Sequence, residues 1–277
     1  MTREEFIPLR EFIYEKTGIF FAENKMYLLE SRLSNRLNEL GFMSYDDYYF
    51  FLKYGNEDSK KELVHLLDVV TTNETSFFRN PPQLDAFKII LQKNYMDNHN
   101  NNPIVSPIKI WSAACSTGEE PYTLAIMILE MIELTRKNLP FIIYATDISH
   151  RVLESAKKGV YGPYSVRNMD ERITQKYFEK KGDSYAIKEI VKRFVKFEHM
   201  NLIDSDAYKR FRYMDMIFCR NVLIYFDEKA KKKVIDHLYE SLKPGGFLTI
   251  GHAESLHNIS RAFKPIMFPG AIAYQKG

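Results

Sequence analysis

Residues 108–121 read IKIWSAACSTGEEP, an apolar run followed by small and polar residues and then by the start of a helix pattern. The same order of apolar run and helix pattern recurs through the rest of the chain. The apolar runs are 108–115, 141–148, 194–200, 214–219 and 246–251. Short apolar runs that alternate with helical patterns are typical of βαβ units in a parallel sheet. The sequence therefore predicts an α/β fold with an open, doubly wound sheet.

The elements around these runs extend the prediction. The helix patterns between the runs are 119–136, 149–158 and 227–242. Residues 263–275 close the chain with Pro269-Gly270 in their middle, which favours an antiparallel hairpin at the sheet edge. Residues 161–192 interrupt the alternation and are predicted to form an inserted subdomain. The stretch NHNNN at 98–102 is predicted to be a solvated loop.

The first seventy residues differ from the rest, because they consist of successive amphipathic helix patterns. Thr2 with Glu5, and Ser59 with Glu62, have the spacing of a capping box at a helix N-terminus. Gly41 suits the left-handed stop after the second helix. The apolar stripe of that helix consists of Met26, Leu29, Leu33, Leu37 and Leu40. We expect this part of the chain to be all-helical.

Length and charge limit the possible functions. The chain has 277 residues, with 39 Lys and Arg against 36 Asp and Glu and a net charge of +3. At about 150 residues per domain, this length predicts two domains. We expect a helical domain at 1–70, a linker at 71–80 and an α/β domain at 81–277. A net charge this small does not favour nucleic-acid binding by bulk electrostatics.

The cysteines and the apolar segments also exclude some classes of protein. Cys115 and Cys219 lie far apart and form no CxxC or Cys/His cluster, so we expect neither a metal site nor a disulfide framework. No stretch approaches the roughly 18 to 20 apolar residues that span a bilayer, and the first residues do not resemble an export signal. The expected location is the reducing cytoplasm, without membrane insertion.

The turn after the first predicted strand carries one glycine, Gly118, followed by Glu119 and Glu120. One glycine does not make a GxGxxG motif, and two carboxylates would repel a phosphate. Small residues followed by acids instead suit a cationic cofactor without phosphate, of which S-adenosylmethionine is the common one. Asp147, at the end of the second strand, is placed to accept hydrogen bonds from ribose hydroxyls. A structural alternative is that the glutamates favour a helix N-terminus and Asp147 caps the next helix.

Two further polar segments adjoin the predicted ligand-binding edge. Residues 71–79, TTNETSFFR, lie at the domain junction, and on their own they fit a linker with a helix cap and a surface arginine. Residues 218–226, FCRNVLIYF, place Arg220 and Asn221 at the carboxyl end of a strand. A buried strand with a packed tyrosine is the structural alternative there. Polar groups at that position favour a functional interpretation, because ligand-binding residues concentrate in such loops.

Together these segments resemble the chemotaxis receptor methyltransferases, the CheR family. The matching stretches follow the family's order and cover nearly the whole chain. They are 71–79, 110–122, 145–148, 201–202, 218–226, 242–246 and 251–254. The resemblance implies a Rossmann-like S-adenosylmethionine-dependent methyltransferase sheet, an N-terminal all-α domain and a small inserted β-subdomain. It also implies esterification of glutamate side chains on methyl-accepting chemotaxis receptors, with S-adenosylmethionine as cofactor and S-adenosylhomocysteine as product.

The resemblance also assigns roles to individual positions. Cofactor contacts are implied for Asn73, Thr75, Arg79, Glu120, Asp147, Asn201, Leu202, Arg220 and Asn221. Arg79 and Tyr225 are the implied catalytic residues, expected closest to the transferred methyl group. Receptor docking is assigned to the helical domain, where the basic residues spaced to share one helix face are Lys25, Arg32 and Arg36. A solvated helix face is the alternative for these three.

Two other functions stay open at the level of the sequence. A methyltransferase of the same fold could act on another protein or on a small-molecule carboxylate. A non-catalytic module could use the fold to respond to S-adenosylmethionine, but such a module would be expected to lack Arg79 or Tyr225, and both are present.

Overall fold

A computed structural model describes residues 1–97 and 106–277, so the predicted loop at 98–102 lies outside the described residues. The strands of the large sheet are β1 (Ile108–Ala113), β2 (Phe141–Asp147), β6 (Val195–His199), β7 (Met214–Cys219), β8 (Leu242–Ile250), β9 (Phe263–Phe268) and β10 (Ala271–Lys276). The three strands β3 (Val160–Tyr161), β4 (Phe178–Lys181) and β5 (Ser184–Ile187) lie between β2 and β6 in the sequence.

Within the described residues, the seven strands of the large sheet lie in the order β6-β2-β1-β7-β8-β10-β9. The first five pair in parallel, and the last two are antiparallel. The predicted α/β fold is confirmed, together with the C-terminal hairpin, which turns at Gly270 with a φ of 71°. The carboxyl ends of β1, β2 and β7 meet at one edge of the sheet, where open α/β folds bind ligands.

The inserted subdomain is a separate sheet, in which the described strands have the order β3-β5-β4. Its helices are α8 (Pro163–Val166), α9 (Glu171–Tyr177) and α10 (Glu189–Lys192). Arg172 and Lys176 on α9 both pair with Glu130, which lies on the preceding long helix of the main domain. Although burial raises the pKa of Glu130, these hydrogen bonds and that of Tyr177 lower it to about 2. These charged contacts join the insertion to the main domain, and its side chains such as Ile173 and Phe178 also pack into a buried apolar cluster of that domain.

The helices flanking the sheet are α5 (Pro81–Leu91), α6 (Glu119–Thr135), α7 (His150–Lys158) and α11 (Glu228–Ser241). The N-terminal helices are α1 (Arg3–Thr17), α2 (Met26–Leu40), α3 (Tyr45–Tyr54) and α4 (Glu57–Val70). The capping box of α1 is confirmed, because Thr2 Oγ1 accepts from the N–H of Glu5 and the Glu5 carboxylate accepts from the N–H of Thr2. The left-handed stop at Gly41 is also present, with a φ of 75°.

The predicted capping box at Ser59 is wrong, because α4 begins two residues earlier. Asn56 caps this helix by accepting from the N–H of Asp58 at 2.9 Å. Ser59 lies inside the first turn, where its hydroxyl donates to the carbonyl oxygen of Asn56 at 2.8 Å. Asparagine is as good an N-cap as serine, and it occurs first in the chain.

Among the residues that the structure describes, two buried apolar clusters cover the two faces of the large sheet. One combines residues of α1 and α2, such as Phe6 and Leu33, with Trp111 of β1 and Leu238 of α11. The other packs α5 and α6 against the opposite face. The N-terminal helices therefore share a core with the sheet, and this fixes the end of α1 beside the carboxyl ends of the strands.

Candidate active site

A cleft opens at the carboxyl ends of β1, β2 and β7, between the sheet and the chain that follows α4. It holds about 1080 Å³ of empty space, counted with its open mouth. The residues predicted as cofactor-binding or catalytic all line it: Asn73, Thr75, Arg79, Glu120, Asp147, Asn201, Leu202, Arg220, Asn221 and Tyr225. Positions separated by about 150 residues of sequence are thereby brought to one place, because parallel strands deliver their carboxyl ends to the same edge.

The turn between β1 and α6 forms the floor of the cleft. Ala114, Ser116 and Gly118 have φ values of 64°, 50° and 93°, so the chain curls tightly over the end of the strand. A Cβ at position 118 would lie 2.8 Å from the Cβ of Ala156, so glycine is needed for both conformation and space. The curl directs the N–H of Ser116 towards Asp147, at 2.9 Å.

Asp147 is held by the backbone on both sides of its carboxylate. One oxygen accepts from the N–H of Ser116, and the other accepts from the N–H of Ser149 at 3.0 Å. Burial raises the pKa of Asp147, while these two hydrogen bonds oppose that rise. The alternative that Asp147 caps α7 is wrong, because Ser149 is the N-cap and accepts from the N–H of Val152. Asp147 is a rigid acceptor in the wall of the cleft.

The two adjacent glutamates at the start of α6 point in different directions. Glu120 lines the cleft, where it accepts from Ser112 Oγ at 2.7 Å. Glu119 is only 2 % exposed and accepts from Thr117 Oγ1 and from Ser165 of the inserted subdomain. Burial raises the pKa of Glu119. Of the two glutamates, Glu120 is therefore the one that a ligand in the cleft would contact.

All three nitrogens of the Arg220 guanidinium group donate hydrogen bonds to residues at the cleft. Its Nη1 donates to Glu120 at 3.0 Å, its Nε to the side-chain oxygen of Gln83 at 2.7 Å, and its Nη2 to the carbonyl oxygen of Arg79 at 2.9 Å. The side chain is almost fully buried. Sequence reasoning missed Gln83, because no motif marks it and α5, on which it lies, was not predicted.

The segment after α4 forms the wall of the cleft opposite the sheet. Ser116 Oγ donates to the carbonyl oxygen of Asn73, which ties this segment to the floor of the cleft. The guanidinium of Arg79 donates to the carbonyl oxygen of Glu74 at 2.6 Å. From the other side, Arg32 Nη2 donates to the hydroxyl of Thr72 at 2.7 Å. Arg32, whose spacing on the helix predicts a docking residue, thus holds the wall of the cleft.

The end of α1 also enters the cleft, and sequence reasoning missed this contribution. Thr17 and Ile19 line it. The N–H of Phe20 donates to the carbonyl oxygen of Tyr225 at 2.9 Å, and Asn201 donates its amide to the carbonyl oxygen of Lys16 at 2.7 Å. Such contacts depend on how distant segments of the chain pack, so no local sequence pattern predicts them. The N-terminal helices therefore help to place Tyr225 and Asn201.

The three residues predicted to dock the receptor do not form one free basic face. Lys25 is exposed but lies in the 3-10 turn before α2. Arg36 pairs with Glu62, whose side chain is only 4 % exposed, and with Glu39. Since Arg32 is also hydrogen bonded within the chain, the two arginines have structural partners that spacing along a helix could not predict.

Comparison with known proteins identifies the family. The model described as "CheR methyltransferase, SAM binding domain" matches residues 73–271, and "CheR methyltransferase, all-alpha domain" matches residues 4–71. The chain belongs to the CheR methyltransferase family. Chemotaxis protein methyltransferase 2 of Vibrio cholerae is 34% identical, covering 100% of this chain and 94% of that protein. The chemotaxis protein methyltransferase of Borreliella burgdorferi is 38% identical, covering 92% and 89%.

Membership of the CheR family makes the chain a methyltransferase that uses S-adenosylmethionine. The cleft fits this cofactor by the chemistry of its walls, because Glu120 offers a carboxylate to an ammonium group and Asp147 offers one to ribose hydroxyls. Within residues 1–97 and 106–277, no helix is both long and apolar enough to cross a bilayer.

Proposed function

We propose that this CheR-family methyltransferase esterifies glutamate side chains of methyl-accepting chemotaxis receptors. The observation that carries the proposal is that Arg79 and Tyr225 line the same cleft as the acidic residues Glu120 and Asp147. One part of the cleft thus suits a cationic cofactor, and another offers a guanidinium and a phenol to an anionic acceptor. The names of the relatives, which are chemotaxis protein methyltransferases, support a receptor as the substrate.

The proposed mechanism requires alignment rather than proton removal. A glutamate side chain has a pKa of about 4.3 and is already an anion at neutral pH. S-adenosylmethionine supplies, when bound, an electrophilic methyl group for in-line attack. Arg79 can hold the acceptor carboxylate through two N–H groups, and the Tyr225 hydroxyl can orient the attacking oxygen. Water around the carboxylate would solvate it and weaken it as a nucleophile. The walls of the cleft exclude this water.

The product distinguishes this function from methylation of another kind of group. Incubation with methyl-labelled S-adenosylmethionine and receptor-containing membranes should label the receptors, and mild base should release the label as methanol. Esters hydrolyse in base, whereas N-methyl and ether groups do not. Label that survives base, or that appears on no receptor, would remove the proposal and favour another acceptor.

The proposal includes docking of the receptor on the helical domain at 1–70, with 71–80 as linker, 81–277 as methyltransferase domain and 161–192 as its insertion. It also places the reaction in the cytoplasm. The structure directs the choice of variant for testing the docking. Replacing both Arg32 and Arg36 would break contacts to Thr72 and Glu62 and would confuse docking with folding.

Lys25→Glu is the cleaner test, because Lys25 is exposed. An acidic receptor surface would repel the new charge, so we expect KM for the receptor to rise about 3- to 10-fold, as for a loss of about 1 kcal/mol. The affinity for S-adenosylmethionine should not change. Lys264→Glu, on the exposed side of β9, provides the same change of charge as a control. An equal KM effect in both variants would argue against docking on the helical domain.

A further inference from the structure

The loop that follows β7 carries two of the residues that line the cleft. Asn221 stands at its beginning and Tyr225 at its end, with a 3-10 turn at Leu223–Tyr225 between them. Asn221 has a φ of 59°, a left-handed backbone conformation that departs from that of the extended strand before it. Such a loop leaves backbone N–H groups without partners in a regular structure, and these groups need acceptors from elsewhere in the chain.

For two of these N–H groups, those of Asn221 and Ile224, the acceptor is one side chain, Glu254, in the segment after β8. One carboxylate oxygen accepts from the N–H of Gly251 at 2.5 Å and from the N–H of Asn221 at 3.2 Å. The other oxygen accepts from the N–H of Ile224, also at 3.2 Å. A single carboxylate therefore connects both ends of the loop to the segment after the neighbouring strand.

The Glu254 carboxylate and the loop approach each other closely at Gly251. A Cβ at position 251 would lie 2.6 Å from Glu254 Oε2 and 2.8 Å from the backbone nitrogen of Asn221. Only glycine at this position lets the carboxylate and the loop come together. An ionised carboxylate presents acceptors alone, and this matches three N–H donors better than any amide, whose NH₂ group would face a donor.

We propose that Glu254 is a positioning residue for the methyl transfer. It makes no contact with the substrate in this proposal; it fixes the loop so that Asn221 and Tyr225 face the cleft with the correct spacing. The part that concerns Tyr225 rests on the proposed function, whereas the part that concerns Asn221 rests only on the use of S-adenosylmethionine.

The test compares Glu254→Gln with the wild-type protein, and Glu240→Gln serves as the matched control because Glu240 is an exposed glutamate on α11. In the cofactor-free protein, amide hydrogen exchange in the 221–225 loop should become faster in Glu254→Gln. The dissociation constant for S-adenosylmethionine, measured by calorimetry, should rise about tenfold. Turnover of receptor glutamates should fall about 10- to 100-fold, with the upper figure being the loss that a misplacement of about 1 Å can cause.

A double-mutant cycle with Tyr225→Phe separates positioning from general destabilisation. If Glu254 acts through Tyr225, the loss of kcat caused by Glu254→Gln should shrink to less than about threefold in the Tyr225→Phe background, because interacting residues are not additive. Equal losses in both backgrounds would overturn the part of the proposal that concerns Tyr225. Unchanged loop exchange and cofactor affinity would overturn the part that concerns Asn221. If wild-type protein methylates no receptor, the proposed function fails, but exchange and cofactor affinity still decide the role of Glu254.

Discussion

Replacing Arg220 with alanine should lower the free energy of unfolding by about 3 to 5 kcal/mol, because removing one partner of a buried ion pair leaves the other charge uncompensated. The side chains of Arg220 and Glu120 are only 5% and 14% exposed. The same substitution removes the donors to Gln83 and to the Arg79 carbonyl oxygen. Urea unfolding followed by circular dichroism measures the loss.

Two further variants test whether the loss of stability in Arg220→Ala comes from the buried ion pair. Arg212→Ala removes an exposed arginine at the other end of β7 and should change the stability by less than about 0.5 kcal/mol. Arg220→Lys keeps the charge but lacks the planar fork, so its stability should be intermediate. If Arg220→Ala lost less than about 1 kcal/mol, the hydrogen bonds to Glu120 and Gln83 would not be important for the fold.

The fold could be predicted because its determinants are local. The apolar runs are long enough to be recognised as strands, and their alternation with helix patterns selects a parallel sheet. The ligand edge follows from the topology of such sheets, since it must lie at the carboxyl ends of the strands. The identity of most cleft residues came from the family resemblance, because composition and spacing alone left Glu119, Glu120 and Asp147 open to a structural interpretation.

What could not be predicted are contacts between segments far apart in the sequence. Gln83 reaches Arg220, Glu254 reaches Asn221, and Phe20 reaches the carbonyl oxygen of Tyr225. Each contact depends on how complete elements pack, and neither periodicity nor capping patterns contain that information. The basic residues of α2 show the same limit, because Arg36 has a suitable spacing for an exposed face but pairs with the buried Glu62.

Tyr225→Phe should lower kcat for receptor methylation about 100-fold, because the attacking oxygen would no longer be held in line with the transferred methyl group and a misplacement of about 1 Å can cost about that factor. The substitution removes only the hydroxyl. The carbonyl oxygen of residue 225 would still accept from the N–H of Phe20, so the loop should keep its place. The ring would also still line the cleft, and KM for S-adenosylmethionine should therefore stay within about twofold of the wild-type value.

This separation of kcat from KM is what identifies a residue that acts on the transition state rather than on binding. Initial rates with labelled cofactor over a range of both substrates measure the two constants. Tyr213→Phe is the control, since Tyr213 is 72 % exposed and immediately precedes β7, at the end of the strand opposite to the cleft. Wild-type kcat in Tyr225→Phe would show that the hydroxyl does not orient the acceptor. Arg79 would then be the remaining candidate in the cleft for holding the acceptor carboxylate, through its guanidinium group.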